Sequence, residues 1–314
     1  MSDYHHVPVL LEEVLKYLNP KEDKNYIDAT LGGGGYSRAI LQNIGGGKLL
    51  SLDLDSDAIE NSRNIIDQLK IKNWVLHQGN FAQLDKIAEH HKFKAPEGIV
   101  ADLGLSSYEL DRAGRGISFR QKEPLDMRFD QSSELPDAKF ILNNYEATRL
   151  LKIFESYGEE KYSKQIVKKI LDYRLKIKDI HYTSELYQII QDALPKPVKH
   201  KADDSARRIF QALRIEVNHE LANLEAFLPK AFDLLAPGGR MVIVSFHSLE
   251  DRIVKQYFNK LVKSCVCPPE FPQCLCGAEP QAKILTKKPV TASAQEAAEN
   301  PRSIPAKLRA IQKL

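Results

Sequence analysis

Short apolar runs alternate with amphipathic stretches through the first third of the chain. Runs at 26–29, 48–53, 74–78 and 98–102 predict strands, and the stretches 36–44, 57–69 and 83–90 place apolar residues at helical spacing. Strands alternating with helices imply a parallel sheet whose ligands gather at the strands' carboxyl ends. After Asp102 the pattern changes. The segments 137–154, 159–178 and 183–194 read as helices, and the next apolar strand is 241–246. Ahead of it lies a helical stretch, 217–235, ended by Ala236-Pro237-Gly238-Gly239. An α/β core interrupted by an inserted helical domain is the simplest arrangement. The expected division is 1–105 and 215–264 for the core, 106–214 for the insertion, and 265–314 for a cysteine-containing segment and tail.

The strand-end residues narrow the ligand. Asp28-Ala29-Thr30-Leu31 leads into four glycines, Gly32 to Gly35, then Tyr36-Ser37, and the second strand closes on Asp53. Glycines after a first strand permit a tight turn and let backbone approach a nucleoside, with no Cβ in the way. An acid ending the second strand, about twenty residues on, can accept both ribose hydroxyls. A dinucleotide fingerprint needs a third glycine where this chain has Ser37, Arg38 or Ala39, and no Gly-Lys-Ser/Thr marks a phosphate-cradling loop. An acid ahead of the glycines without phosphate apparatus suits S-adenosylmethionine (AdoMet) better than NAD or ATP. The plain alternative is a flexible glycine loop without a ligand.

Composition changes this picture little. The chain has 314 residues, enough for two domains, and a net charge of +3, which does not by itself demand nucleic acid. No apolar run reaches the eighteen or so residues that span a bilayer. Met1 to Leu11 lacks the basic and apolar regions of a secretion signal, so the expectation is a cytoplasmic protein without membrane contact.

Five segments converge on one family. Val7–Leu15, the glycine tract, Asp102-Leu-Gly-Leu-Ser-Ser107, Phe210-Gln-Ala-Leu-Arg-Ile-Glu-Val-Asn218 and Ser245-Phe-His-Ser-Leu-Glu-Asp-Arg-Ile-Val-Lys255 together resemble the bacterial methyltransferases called RsmH or MraW. Pro124–Arg128 and Ala298–Ser303 extend the likeness almost to both ends. The resemblance implies a Rossmann-like class I AdoMet-dependent core with its helical insertion. It also implies methylation of the exocyclic N4 of a cytidine in the decoding (P-site) region of 16S ribosomal RNA, within the small ribosomal subunit. It carries a cofactor site onto Gly34, Gly35, Tyr36, Asp53, Phe81, Asp102 and Glu109. Tyr36 stands where the family usually has His, and Tyr108-Glu109 where Pro-Gln is common. An ionised Glu109 cannot donate a hydrogen bond as Gln does.

The chemistry needs few groups. Cytosine N4 is a poor nucleophile, its lone pair delocalised into the ring, so an enzyme must align it and accept its hydrogens. Asp102 ends the fourth expected strand, where it can serve as that acceptor, touch AdoMet, or merely cap a turn. His247 follows the last strand and can contact the cytidine or a phosphate, or serve the fold alone. Asn/Asp/Ser-Pro-Pro-Tyr, which carries a stacking aromatic in many amino-methylating enzymes, is missing here, leaving Tyr108, Phe119, Phe129 and Phe246 as candidates. Any one aromatic is more often core than platform.

Partners and metals complete the expectations. Lys161, Lys164, Lys168, Lys169, Arg174, Lys176 and Lys178, then Lys196, Lys199, Lys201, Arg207 and Arg208, concentrate positive charge in the insertion, where they can grip RNA phosphates or simply be solvated. All the cysteines fall in Cys265-Val-Cys267 and Cys274-Leu-Cys276, a spacing that can hold structural zinc but is tighter than the usual knuckle. A monomer or homodimer fits equally. The competing functions are an AdoMet-dependent methyltransferase for another nucleic acid or a small molecule, and a non-catalytic RNA-binding assembly factor.

Overall fold

A computed structural model describes residues 8–104, 114–177, 179–263 and 279–314. Two compact units divide the chain, one of residues 1–105 and 221–314, the other of 106–220.

The first unit is built on a seven-stranded sheet: β1 (Tyr26–Asp28), β2 (Leu49–Asp53), β3 (Trp74–Gln78), β4 (Gly98–Asp102), β5 (Arg240–Ser245), β6 (Ala282–Ile284) and β7 (Lys307–Lys313). Their order is β3-β2-β1-β4-β5-β7-β6. The first five strands are parallel, and β7 runs antiparallel to both β5 and β6. Strand order reverses between β1 and β4, so the crevice outside their carboxyl ends is a topological switch point. Side chains alternate between faces. Ile27, Leu50, Leu52, Ile99, Ala101, Met241 and Ile243 join one core with Leu84, Phe227, Phe232 and Phe258. Tyr26, Leu49, Val100, Val242 and Val244 join the other with Val14, Leu18, Ile40 and Ile59. Burial on both faces explains why these strands read as continuous apolar runs.

The helices of this unit are α1 (Leu11–Leu18), α2 (Gly35–Leu41), α3 (Ser56–Leu69) and α4 (Leu84–His90) ahead of the insertion. The insertion contributes α5 (Ala138–Asn144), α6 (Ala147–Ser156), α7 (Ser163–Lys176), α8 (Thr183–Ala193) and α9 (Ala202–Asn218). Then come α10 (Glu220–Leu234), α11 (Ser248–Val262) and α12 (Ala294–Glu299). Asp55 caps α3 by accepting from the Asp57 N–H at 3.0 Å.

Three expectations are corrected here. The sequence pattern yields five strands; β6 and β7 add two, so residues 279–314, expected to stand apart from the core, complete its sheet. Arg309 disguises β7, because a charge inside a short strand reads as surface. In the fold it is 8% exposed, and its guanidinium donates to both Asp251 oxygens at 2.6 and 3.1 Å. The single helix expected over 137–154 breaks at Tyr145, whose backbone is extended. The break is held by Arg174, which donates to the Leu142 carbonyl at 2.6 Å and the Tyr145 carbonyl at 2.8 Å. The helix expected from 217 to 235 begins at Glu220, because His219 in the left-handed region at φ 52° ends the preceding helix at Asn218.

The second unit packs α5 to α9 around Ile141, Leu150, Phe154, Ile166, Ile170, Ile189, Ile209 and Leu213. Ion pairs reach its interior: Arg208 Nε lies 2.7 Å from an oxygen of Glu160, whose side chain is fully buried, and Arg214 Nε lies 2.8 Å from Glu220.

Candidate active site

Three acids end three parallel strands at the switch point: Asp28 on β1, Asp53 on β2 and Asp102 on β4. Each is surrounded differently. Asp28 is fully buried; it accepts from the Ser37 hydroxyl at 2.6 Å and the Thr30 N–H at 3.2 Å. Behind it the Ser37 and Ser51 hydroxyls lie 2.7 Å apart, and the Trp74 indole N–H donates to Ser51 at 2.8 Å. This chain of buried polar groups ties β1, α2, β2 and β3 together. Burial raises the Asp28 pKa to about 7 against the lowering pull of Ser37.

Asp53 anchors the glycine loop directly. Its two oxygens accept from the Gly32 N–H at 2.7 Å and the Asp55 N–H at 2.9 Å. A carboxylate oxygen has two lone pairs, so acceptor capacity remains toward a ligand. Burial raises its pKa to about 6, opposed by those backbone hydrogen bonds.

Asp102 is the unusual member. Its N–H donates to the Thr30 hydroxyl at 2.6 Å, which fixes the end of β4 against the loop leaving β1. Its Oδ1 is buried and has no hydrogen-bond partner among the described residues. Burial, then the negative charges of Asp28 and Glu250, raise its pKa well above the carboxylate range. Among the described residues no Lys or Arg forms an ion pair with Asp28, Asp53 or Asp102. Buried polar groups cost free energy when unpaired, which makes this oxygen a candidate ligand contact.

The glycines split into two kinds. Gly34 caps α2 at φ 73°, where a side chain is strained whatever the space. At Gly35 a Cβ would stand 2.1 Å from Pro8 Cγ, so that glycine admits the N-terminal segment to the loop. Tyr36 belongs to the same contact: it is 4% exposed, and its hydroxyl donates to the Val9 carbonyl. Its donor group is thus spent inside the protein, and the loop offers backbone there. Phe81 begins a short turn after β3, half-buried, its ring 5.0 Å edge-on from Phe227.

His247 also has local duties. It caps α11: its Nδ1 accepts from the Glu250 N–H at 3.4 Å, while Glu250 accepts from the Phe246 and His247 N–H groups at 2.9 and 3.3 Å. Its Nε2 lies 3.2 Å from Glu250 without the alignment of a hydrogen bond. Of the stacking candidates, Phe246 stands beside Gly104 in the loops after β5 and β4, where a Cβ on Gly104 would be 3.8 Å from the ring. Phe119 instead packs against Tyr187 and Phe210 at 5.4 and 5.6 Å in the helical unit, where the Phe129 N–H donates to Asn218. Tyr108, Glu109, Lys178 and the four cysteines, Cys265, Cys267, Cys274 and Cys276, lie outside the described residues. Sequence reading missed Thr30 and Glu250; their signal was proximity to strand ends, which short polar residues share with ordinary turns.

In the helical unit Lys161, Lys164, Lys168, Lys169, Lys176, Lys196, Lys199 and Lys201 are exposed. Arg174 is not part of that face, since it is half-buried, its Nε and Nη1 donate to carbonyls at the end of α5, and burial lowers its pKa. Arg208 is spent on Glu160, and Arg207 lies 2.9 Å from Asp204. No described helix is long and apolar enough to cross a membrane.

Known proteins match over nearly the whole chain. Ribosomal RNA small subunit methyltransferase H of Heliobacterium mobile is 44% identical, covering 99% of this chain and 100% of its own length. The protein of the same name from Clostridium botulinum strain Hall is 45% identical, with the same coverage. A solved rRNA methylase from Streptococcus thermophilus is far looser, 12% identical with a TM-score of 0.41 over 97% of this chain and 93% of that one, and carries no argument. The family model described as the MraW methylase family matches residues 3–314. This chain belongs to the MraW methylase family.

Proposed function

We propose that the protein transfers a methyl group from AdoMet to the exocyclic N4 of a cytidine in the decoding region of 16S ribosomal RNA. The observation that carries the chemistry is the buried, unpartnered Oδ1 of Asp102 beside two further strand-end acids. AdoMet fits this donor set. It brings a sulfonium and an ammonium charge to a pocket with acids but no described cationic partner, and an opposite charge nearby favours the ionised carboxylates. Gly34 gives the backbone its turn, Asp53 accepts ribose hydroxyls, and Phe81 borders the adenine. AdoMet, when bound, supplies an electrophilic methyl.

The protein's own groups do the rest. An ionised Asp102 accepts a hydrogen of the N4 amino group, which holds the lone pair toward the methyl and gives the departing proton a destination. Alignment of this kind contributes roughly 7–11 kcal/mol in well-oriented intramolecular reactions. Phe246 is the aromatic placed to stack on an extruded base, an interaction of about 1–3 kcal/mol. His247 acts through the cap of α11, positioning Phe246 and Glu250. Exposed lysines of the helical unit hold RNA phosphates. The relatives' printed names support ribosomal RNA of the small subunit as substrate. The cytidine, its N4 and the decoding region rest on the motif resemblance.

Small ribosomal subunits lacking the modification, incubated with labelled AdoMet and digested to nucleosides, test the reading. N4-methylcytidine in the mass spectrum is the expected product. Label in another nucleoside, or in none despite measured AdoMet binding, overturns it.

A further inference from the structure

The edge of the sheet far from Asp102 gathers three histidines. His77 lies on β3, the outer strand, and His90 and His91 end α4. Strand order puts β3 three places from β4, roughly 14 Å at the usual strand spacing. His77 Nδ1 and His91 Nε2 share a hydrogen bond at 3.0 Å, with ring centroids at 5.1 Å. The His90 ring lies 4.9 Å from that of His91 and 6.2 Å from that of His77. Gly79 makes room: a Cβ there would stand 2.9 Å from the His77 ring, so the imidazole lies across the turn with Nδ1 toward His91.

We propose that His77 and His91, completed by His90, bind a transition-metal dication of the zinc, nickel or copper kind. Imidazole nitrogens bind such ions at about 2.0–2.1 Å, which puts two of them about 3.3 Å apart at a tetrahedral angle and about 2.9 Å apart at a right angle. The observed 3.0 Å lies between these. An ion bound here would take the place of the proton the two nitrogens share, and His90, exposed at the end of α4, is the third ligand of the proposal. The segment between these histidines carries Phe81, so the ion would clip the connection from β3 to α4. The proposed ligands include neither a cysteine nor a strand-end acid.

The test is calorimetric titration of metal-free, full-length protein with Ni²⁺, in the parent chain and with all four cysteines replaced by serine. One Ni²⁺ per chain is expected to remain in the cysteine-free protein. His91→Ala and His77→Phe, the latter keeping a ring in place, should each weaken it at least tenfold, with circular dichroism reporting the fold. Uptake that neither histidine substitution alters, or no uptake by the cysteine-free chain, overturns the assignment.

Discussion

The two units use charge in opposite ways. In the sheet unit the informative charges are acids withdrawn from water: Asp28 is fully buried, and Asp28, Asp53 and Asp102 all have raised pKa values. In the helical unit the candidate contacts are lysines in open solvent, while buried Glu160 is paired with Arg208 and Arg174 donates through Nε and Nη1 to carbonyls at the end of α5. A satisfied charge holds a fold together. A strand-end acid with no cation beside it favours a cationic ligand, and exposed lysines attract a polyanion through numbers and salt-sensitive attraction. Charge content alone therefore does not locate function; the partner, or its lack, does.

The helical unit offers the largest expected effect. Replacing Lys161, Lys164, Lys168 and Lys169 with glutamate should weaken RNA binding by about two orders of magnitude or more at low salt. It should also flatten the salt dependence by roughly 0.7–0.9 for each phosphate the protein no longer neutralises. Filter binding across a salt series reads both quantities. Unchanged affinity and slope would move the RNA interface elsewhere.

Arg174 sharpens the same contrast, because sequence places it among those lysines and structure does not. Arg174→Ala should destabilise the protein by about 1–3 kcal/mol, leaving α5 carbonyls without their donor. RNA affinity per folded molecule should hold. A loss of affinity without a loss of stability would return Arg174 to the binding face.

Acids in the sheet unit predict a smaller, pH-dependent effect. Burial raises the Asp53 pKa to about 6, so protonation below that value removes its charge and turns one of its two acceptor oxygens into a donor. AdoMet affinity should fall as pH drops from about 7 to about 5, by up to about tenfold per unit below 6. Asp53→Asn should bind more weakly at neutral pH with a flatter profile. Folding runs the other way. Groups whose folded pKa is raised, Asp28 to about 7 and Asp53 to about 6, favour the folded state most below their unfolded values. The ligand-free protein should therefore gain stability from them between pH 7 and 4, to be read in denaturant titrations.

Particular residues explain what sequence could reveal. The first four strands and their acids were legible because parallel, doubly covered strands leave unbroken apolar runs, each closed by a strand-end polar residue. β7 was hidden by Arg309, whose charge is neutralised by Asp251 on a distant helix, a pairing that no local pattern records. The division of α5 from α6 was hidden because Arg174, about thirty residues on, supplies the terminating donor. At the site, glycine spacing located the loop but could not separate Gly34, constrained by φ, from Gly35, pressed by Pro8. Nor could it foresee that the Tyr36 hydroxyl would be taken by Val9.

Asp102 carries the central claim. Asp102→Asn keeps shape and one acceptor oxygen but cannot take a proton, and single-turnover methyl transfer can be measured beside AdoMet affinity in the same preparation. Transfer should fall by roughly 10²–10⁴-fold, the usual contribution of a positioned proton acceptor, with a much smaller loss of AdoMet binding. Transfer retained near the parental rate with AdoMet saturating would contradict the account and leave Asp102 as a residue of the fold.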